Sequence, residues 1–423
     1  MTADPSDGDR VDGDGIDTDA GTDTDADTDL DSVPSISPAQ LDERLRGRDP
    51  LRVLDVRDRD EFEEWHVSGP AVEATQVPHV KFVAAGAKGT VADLAGDAGL
   101  DPDDDRPVLA VCGRGEASAH VAGLLREAGY DAYNLDGGMD AWAEHYDAVE
   151  LDVGAEATVL QYRRPSSGCL AYLVVSEGAA AVIDPLRAFA DRYVADAAAR
   201  DADLVVAVDT HVHADHLSGT RAVAALRDAE VVVPGGALDR GLDYADDVPV
   251  RPVADGDEVR VGDATLTALA TPGHTTEMTS FRLADLLFTG DTLFVESVAR
   301  PDLERGDDGA ADLAHTLYQT LHETVLAQSD DTRVAPGHYG ETTPPADDGS
   351  YTARLGALRE RLRALSLDED AFVEHVVDDL PPRPANYERI VETNLGSATV
   401  DDAEAFELEL GPNNCAVSPA SSD

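Results

Sequence analysis

HVHADH, residues 211–216, places three imidazoles and a carboxylate within six positions, directly after the Val-rich run LVVAV at 204–208. A buried strand that empties into such a loop is how an α/β fold presents a metal site. Imidazole suits zinc, iron, copper and nickel, and carboxylate adds charge and a harder oxygen. An irregular loop aims His211, His213, Asp215 and His216 at one point, where a regular helix or strand would spread them. Histidine occurs only twelve times in 423 residues, so three in six positions favours ligands over a solvated polar loop. Three further segments add candidates: TPGHT (271–275) brings His274, TGDT (289–292) brings Asp291 after an apolar run, and APGHYG (335–340) brings His338.

The ordered series HxHxDH, then a lone His, an Asp and a last His resembles the signature of the metallo-β-lactamase fold. The match runs over roughly 155–345 and extends into the C-terminal tail. This resemblance implies a four-layer αβ/βα sandwich with metal at one edge of two facing sheets. It also implies that Asp184, ending the strand AAAVIDP (179–185), supports the metal loop.

Upstream, strands and helices alternate: LRVLDVR (51–57), EFEEWHVSGP (61–70), VLAVC (108–112), ASAHVAGLLREAG (117–129) and YNLDGGMDAW (133–142). That alternation predicts a parallel sheet covered on both faces. In CGRGEAS (112–118) a thiol lies between strand and helix, facing the positive end of the helix dipole and free backbone N–H groups. Both favour the nucleophilic thiolate, and Gly113 and Gly115 let the loop curl around the sulfur; a buried structural cysteine is the plainer reading. The pieces LDVR (54–57), EFEEWHVSGP, the cysteine loop and LDGGMDAW (135–142) resemble a rhodanese module. By that resemblance Cys112 carries a persulfide sulfur cradled by loop amides, and Arg57 helps fix the loop. A related phosphatase loop needs Arg six positions after the cysteine; Ser118 stands there and disfavours phosphate chemistry. Arg114 either steers an anionic acceptor or is solvated.

The expected fold class is therefore α/β, a rhodanese-like doubly wound parallel sheet followed by the αβ/βα sandwich. Residues 1–35 read as a disordered acidic tail, 36–148 as the rhodanese-like domain, and 149–156 as a connector. Residues 155–411 read as the metallo-β-lactamase-like domain with a C-terminal helical extension, and 412–423 as a loose tail in which Cys415 is incidental. Cys169 reads as a core cysteine.

Two chemistries compete for the ligand set. All seven residues together imply two zinc ions bridging a hydroxide for thiolester hydrolysis, as in glyoxalase II. His211, His274 and Asp291 alone imply one iron(II) per chain with positions left for O2 and a thiol persulfide, the other four acting as outer supports. Arg300-Pro301-Asp302 resembles a Gly-Arg-Thr-Asp segment of the persulfide-oxidising branch, and LPPRPANYERIVETNLG (380–396) resembles its ending. Arg300 then holds a carboxylate of the substrate, or pairs with Asp302 at the surface. Glu277 stands where the family usually has Gly, which predicts a narrower or more negative approach to the metal. The fused rhodanese module favours sulfur chemistry, since one half supplies or consumes what the other makes. The reading taken forward is O2-dependent oxidation of a small thiol persulfide to sulfite, coupled to sulfur transfer through Cys112; a dinuclear zinc hydrolase is the alternative.

Net charge is −54, of which the first 32 residues, with twelve Asp and one Arg, supply −11; lysine occurs only at 81 and 88. Such a surface argues against nucleic acid and anionic membranes as partners. An odd three cysteines fit a reducing compartment. The absence of a membrane-length apolar run and the acidic N-terminus lead us to expect a cytoplasmic protein; homodimerisation stays open. Acidity of this density repels itself until salt shortens the screening length to about 3 Å at molar ionic strength, as in proteins of halophilic archaea. Dialysis from molar salt into dilute buffer is therefore expected to unfold the chain, followed by circular dichroism. Full retention of structure in dilute buffer would overturn the salt-adapted reading.

Overall fold

A computed structural model describes residues 33–154, 156–245, 248–378 and 380–417, so the acidic tail read at 1–35 lies outside the described residues up to position 32. Short apolar runs that must be buried on both faces form a parallel sheet. They are β1 (Ser35–Ile36), β2 (Leu51–Asp55), β3 (Val72–Gln76), β4 (Val108–Val111) and β5 (Ala132–Leu135), in the order β1-β5-β4-β2-β3 with every pair parallel. Phe82, Val121 and Leu125 cover one face; Leu41, Trp65, Met139 and Trp142 cover the other. The doubly wound expectation holds. Strand β3 and the helices His79–Lys88 and Val91–Asp97 were not read from the sequence. VEATQ is a polar, half-buried edge strand without the apolar alternation that marks a strand.

The second half opens with β6 (Asp147–Leu151), β7 (Thr158–Arg164), β8 (Cys169–Ser176), β9 (Ala179–Ile183), β10 (Asp203–Val208), β11 (Glu230–Pro234) and β12 (Val250–Val253). These form one seven-stranded sheet in the order β12-β11-β10-β9-β8-β7-β6. A six-stranded sheet follows, β13 (Glu258–Val261), β14 (Ala264–Ala270), β15 (Thr279–Leu283), β16 (Leu286–Gly290), β17 (Arg333–Pro336) and β18 (Ala353–Arg354), in sequence order. Tyr172, Ile183 and Val208 of the first meet Leu266, Phe281 and Phe288 of the second in a shared core. Helices Ala190–Ala198 and Thr220–Arg227 cover the outer face of the first through Tyr193, Ala197 and Val223. Helices Gly306–Gln319, Leu355–Arg361 and Glu369–Val377 cover the second through Leu317, Leu358 and Phe372. The result is the expected αβ/βα sandwich.

Two expectations are corrected. The connector placed at 149–156 begins as β6, which pairs antiparallel with β7 and edges the seven-stranded sheet, so the second half starts at about residue 147 rather than 155. The tail placed at 412–423 is not loose in its described part. Val417 N donates to Val298 O at 3.0 Å, Arg300 N to Cys415 O at 3.3 Å, and Ala416 bridges Ala299. Cys415 and Val417 are buried, and their apolar side chains are what hold this segment down.

Helix Gly306–Gln319 runs close beneath the site. A Cβ on Gly273, whose φ is +145°, would lie 2.5 Å from Leu317 Cα, so the TPGH turn needs glycine there. The helix passes into a π-helical turn, Thr320–Val325, and Thr320 Oγ1 donates to Pro272 O at 2.6 Å.

One buried ion pair and one buried hydrogen bond join the two halves. Arg163 donates to Asp42 Oδ2 at 2.7 Å. Arg164, fully buried, donates Nε to Ala143 O and Nη1 to Glu409 Oε2, both at 2.8 Å. Glu409 Oε1 in turn accepts Leu217 N at 2.8 Å. Removing one partner of such a pair strands the other charge in low dielectric. Glu409→Ala is therefore expected to cost about 3–5 kcal/mol of unfolding free energy, read from the denaturant midpoint at fixed salt.

Candidate metal centre

Strand β9 ends at Asp184, which takes a left-handed φ of +49°, a conformation that Asp tolerates better than most residues. Its carboxylate receives Thr210 N at 2.7 Å and Thr210 Oγ1 at 3.0 Å, which pins the chain as it leaves β10. Thr210 Oγ1 then lies 2.9 Å from His211 Nδ1. With its own proton on Asp184, the hydroxyl accepts from that nitrogen and leaves Nε2 of His211 as a lone pair. On the other side of the site His274 Nδ1 donates to Arg300 O at 2.9 Å, again freeing Nε2.

Those two Nε2 atoms face one oxygen. Asp291 Oδ2 lies 3.8 Å from His211 Nε2 and 3.7 Å from His274 Nε2. All three residues are at most 1% exposed, and none of these three atoms has a hydrogen-bond partner. A buried polar atom left unpaired costs roughly 1–3 kcal/mol. Three converging on one point are what a cation site looks like, and the donor set of two neutral imidazoles and one carboxylate fits iron(II) or zinc.

The remaining four predicted ligands gather on the far side of Asp291. His338 bridges two carboxylates, Nδ1 to Asp291 Oδ1 and Nε2 to Asp215 Oδ2, each at 2.7 Å. His216 Nδ1 lies 3.1 Å from Asp215 Oδ2, and His213 Nε2 lies 3.2 Å from Asp184 Oδ1. His213 Nδ1, His216 Nε2 and Asp215 Oδ1 are also unpartnered. Burial, with the imidazoles of His213 and His274, holds His211 well below the usual histidine range. Burial also disfavours the charge on His338, but Asp291 and Asp215 outweigh it and raise its pKa well above normal. Burial opposes ionisation of Asp215 and Asp291 as well; His338 overcomes this and keeps both below the ordinary carboxylate range.

Several groups at the centre were not read as functional from the sequence. Cys169 Sγ donates to Asp215 Oδ2 at 3.3 Å. Cys415 joins Asp215, Asp291 and His338 in a cluster whose ligand atoms all lie within 4.8 Å of one another. Cys169 is a core cysteine as expected, packed in the hydrophobic core at 1% exposure, with its thiol also on Asp215; Cys415, read as incidental, is buried beside the centre. Asn394 Nδ2 donates to the carbonyls of His213 and His216 at 3.0 and 2.8 Å, clamping the loop from the C-terminal helix Tyr387–Leu395. Glu277, expected to make the approach to the metal narrower or more negative, is instead buried, accepts Val212 N at 2.9 Å and pairs with Arg240, so it braces the ligand loop.

Arg300 and Asp302 are corrected. Both are buried, and the guanidinium is already engaged, by Asp302 at 2.7 and 3.0 Å, Pro382 O at 3.0 Å and Asn414 O at 2.9 Å. The pair is neither a surface charge pair nor a free carboxylate holder. It ties the C-terminal segments to the backbone that orients His274.

In the first half, Cys112 Sγ accepts Gly115 N at 3.1 Å and Ser118 N at 3.4 Å, with Ser118 Oγ also at 3.1 Å. Met139 N and Asp140 N donate to Cys112 O and Gly113 O at 2.8 and 2.9 Å. A Cβ on Gly138 would lie 2.3 Å from Cys112 O, so helix Gly138–Glu144 can start against the loop only with glycine there. The cradle predicted around the thiol is present, and Ser118 belongs to it. Arg57 is corrected: its side chain bonds Asp55 and the Trp65 carbonyl instead of the cysteine loop. Arg114 is exposed, 3.5 Å from Asp140.

Comparison with known proteins agrees with this geometry. Residues 165–338 match the metallo-beta-lactamase superfamily and residues 37–145 a rhodanese-like domain. The mitochondrial persulfide dioxygenase ETHE1 of Homo sapiens is 31% identical over 258 residues, 57% of this chain and 89% of that protein. A hydroxyacylglutathione hydrolase of Rhodospirillum rubrum is 31% identical over 199 residues, covering 46% of this chain and 69% of its own length. A solved metallo-beta-lactamase from Staphylococcus aureus subsp. aureus COL superposes with a TM-score of 0.53 at 28% identity, over 59% of this chain and 75% of that one. With seven ordered histidine and aspartate side chains gathered beside two facing sheets, the chain belongs to the metallo-beta-lactamase superfamily and carries a rhodanese-like domain ahead of that fold.

Proposed function

We propose that this metal-dependent enzyme oxidises the terminal sulfur of a low-molecular-weight thiol persulfide to sulfite with O2, using one iron(II) held by His211, His274 and Asp291. The observation that carries this reading is the split within the ligand set. Three unpartnered atoms converge on one point, while His338, needed for a second ion, is engaged at both ring nitrogens. Iron held by His211, His274 and Asp291 would supply one-electron chemistry with O2.

The chain's own residues do the rest. Thr210 and the Arg300 carbonyl fix the two imidazoles, as outer partners of metal-binding histidines do. Burial keeps bulk water from the reacting sulfur. His338 holds a proton between Asp291 Oδ1 and Asp215 Oδ2. Overall, persulfide, O2 and water give thiol, sulfite and two protons. In the rhodanese-like domain the Cys112 thiolate takes the sulfane sulfur of a second persulfide, releasing its thiol, holds it inside the ring of amides, and passes it to sulfite, which leaves as thiosulfate and restores the thiolate. The setting proposed is a salt-adapted cytoplasm.

A second reading, a dinuclear zinc thiolester hydrolase, draws on the unpartnered His213 Nδ1, His216 Nε2 and Asp215 Oδ1 and on the hydrolase relative. Protein purified without oxygen is expected to contain one iron per chain and to consume one O2 for each persulfide oxidised at the metal. Two zinc ions with no oxygen uptake would sink the dioxygenase reading in favour of the hydrolase. Thr210→Val is expected to weaken metal binding roughly 10–100-fold in a chelator competition. Cys112→Ser is expected to leave oxygen uptake intact and abolish thiosulfate formation.

A further inference from the structure

A buried series of oxidisable side chains leads away from the metal centre. It begins at Asp291, whose Oδ1 is held by His338 Nδ1. His338 Nε2 lies 2.7 Å from Asp215 Oδ2, and the Cys169 thiol donates to that same oxygen at 3.3 Å. Cys169 opens β8, where the register sets it opposite Arg164 of β7 and sets Ala171 opposite Tyr162. Cys169 and Tyr162 are therefore diagonal neighbours on one face of the strand pair, within reach of an aromatic side chain. Tyr146 and Tyr193 belong to the same buried cluster.

The three phenols touch. Tyr146 and Tyr162 stack with ring centroids 5.4 Å apart, Tyr193 meets Tyr162 edge-on at 5.0 Å, and the hydroxyl oxygens of Tyr146 and Tyr193 are 2.6 Å apart. Phenylalanine would fill the same space without a hydroxyl to satisfy, and a buried polar group costs free energy unless it is paired. Tyr193 has a structural use for its oxygen, which accepts Leu186 N at 3.0 Å. Tyr162 has none of that kind. Its O–H donates to Asp196 Oδ2 at 2.8 Å, and Asp196, also held by Arg192, stands partly exposed on helix Ala190–Ala198. Burial, with Asp196 beside it, raises Tyr162 above the usual tyrosine range, so its proton leaves together with an electron. The series thus runs from a metal-facing carboxylate to a proton acceptor at the surface.

We propose that Cys169, Tyr193, Tyr146 and Tyr162 form an electron relay, which carries an oxidising equivalent from the metal centre to the surface at Asp196 when O2 reacts with no persulfide bound. The proposal rests on the dioxygenase reading above for the source of that equivalent only. Tyr162 gives one electron toward the centre, which is reduced by one. Its phenolic proton passes to Asp196 Oδ2, leaving a neutral tyrosyl radical. A low-molecular-weight thiolate at the surface then returns one electron and Asp196 returns the proton; the thiyl radicals so formed pair as a disulfide. Cys169, a thiol in contact with the centre, is refilled by the tyrosines instead of climbing to sulfinic acid.

The full-length protein is loaded with iron(II), its iron content is measured, and hydrogen peroxide is added without persulfide. Freeze-quenched samples are read by electron paramagnetic resonance, and Cys169 by peptide mass spectrometry. The wild type is expected to show a tyrosyl radical. Tyr162→Phe is expected to lower the radical yield at least fivefold and to raise sulfinic and sulfonic acid at Cys169 at least threefold. No radical in the iron-loaded wild type, or either readout unchanged in Tyr162→Phe, would overturn the proposal. Should Tyr162→Phe fail to fold, Asp196→Asn carries the test, because it keeps the ring and removes the proton acceptor. A radical yield lowered at least threefold supports the relay and an unchanged yield refutes it. Oxygen uptake with persulfide is measured on the same preparation. Its absence removes the dioxygenase reading, whereas an absent radical beside intact uptake removes the relay alone.

Discussion

The carboxylate of Asp291 is shared between two demands, and the centre is built around that division. One oxygen is fixed by His338; the other faces two imidazoles with nothing to satisfy it. Because the residue is buried, neither oxygen can turn to solvent. The β16 strand that delivers Asp291 and the β17 strand that leads to His338 are parallel neighbours, so sheet register sets the distance between them. The sandwich is thus a frame for holding acids and imidazoles close in a dry place, a costly arrangement unless positive charge is supplied.

Many supports of that arrangement run from a side chain to backbone. Asp184 and Asn394 grip the ligand loop from opposite sides, Glu277 holds Val212 N, and the Arg300 carbonyl sets His274. Arg300 is itself anchored by Asp302, Pro382 O and Asn414 O. The ligand loop therefore owes its shape to segments from residue 184 to residue 414. This explains why so much of the C-terminal extension packs inward.

The sequence made the ligands legible because each lies in a short loop after an apolar run, where a histidine or aspartate stands out from its surroundings. Cys112 was legible for the same reason, between a strand and a helix with glycines beside it. Arg57 and Arg300 were misread because a guanidinium's partners come from elsewhere in the chain. Spacing does not reveal that Asp302 and two carbonyls already occupy Arg300. Cys415, Glu409 and Asn394 gave no local signal at all, since their importance exists only once distant segments meet. Strand β6 was hidden for a related reason. An edge strand with one partner needs only a weak apolar pattern.

The path from Ala143 O through Arg164 and Glu409 to Leu217 N has a consequence for how this protein can be cut apart. A guanidinium sealed at the seam makes the two halves poor candidates for independent life. Expressing the C-terminal half by itself would open a hydrophilic wound beside the ligand loop. Cutting the chain between the halves takes the Ala143 carbonyl from Arg164 and Asp42 from Arg163, so a transplanted half needs new partners for both guanidinium groups.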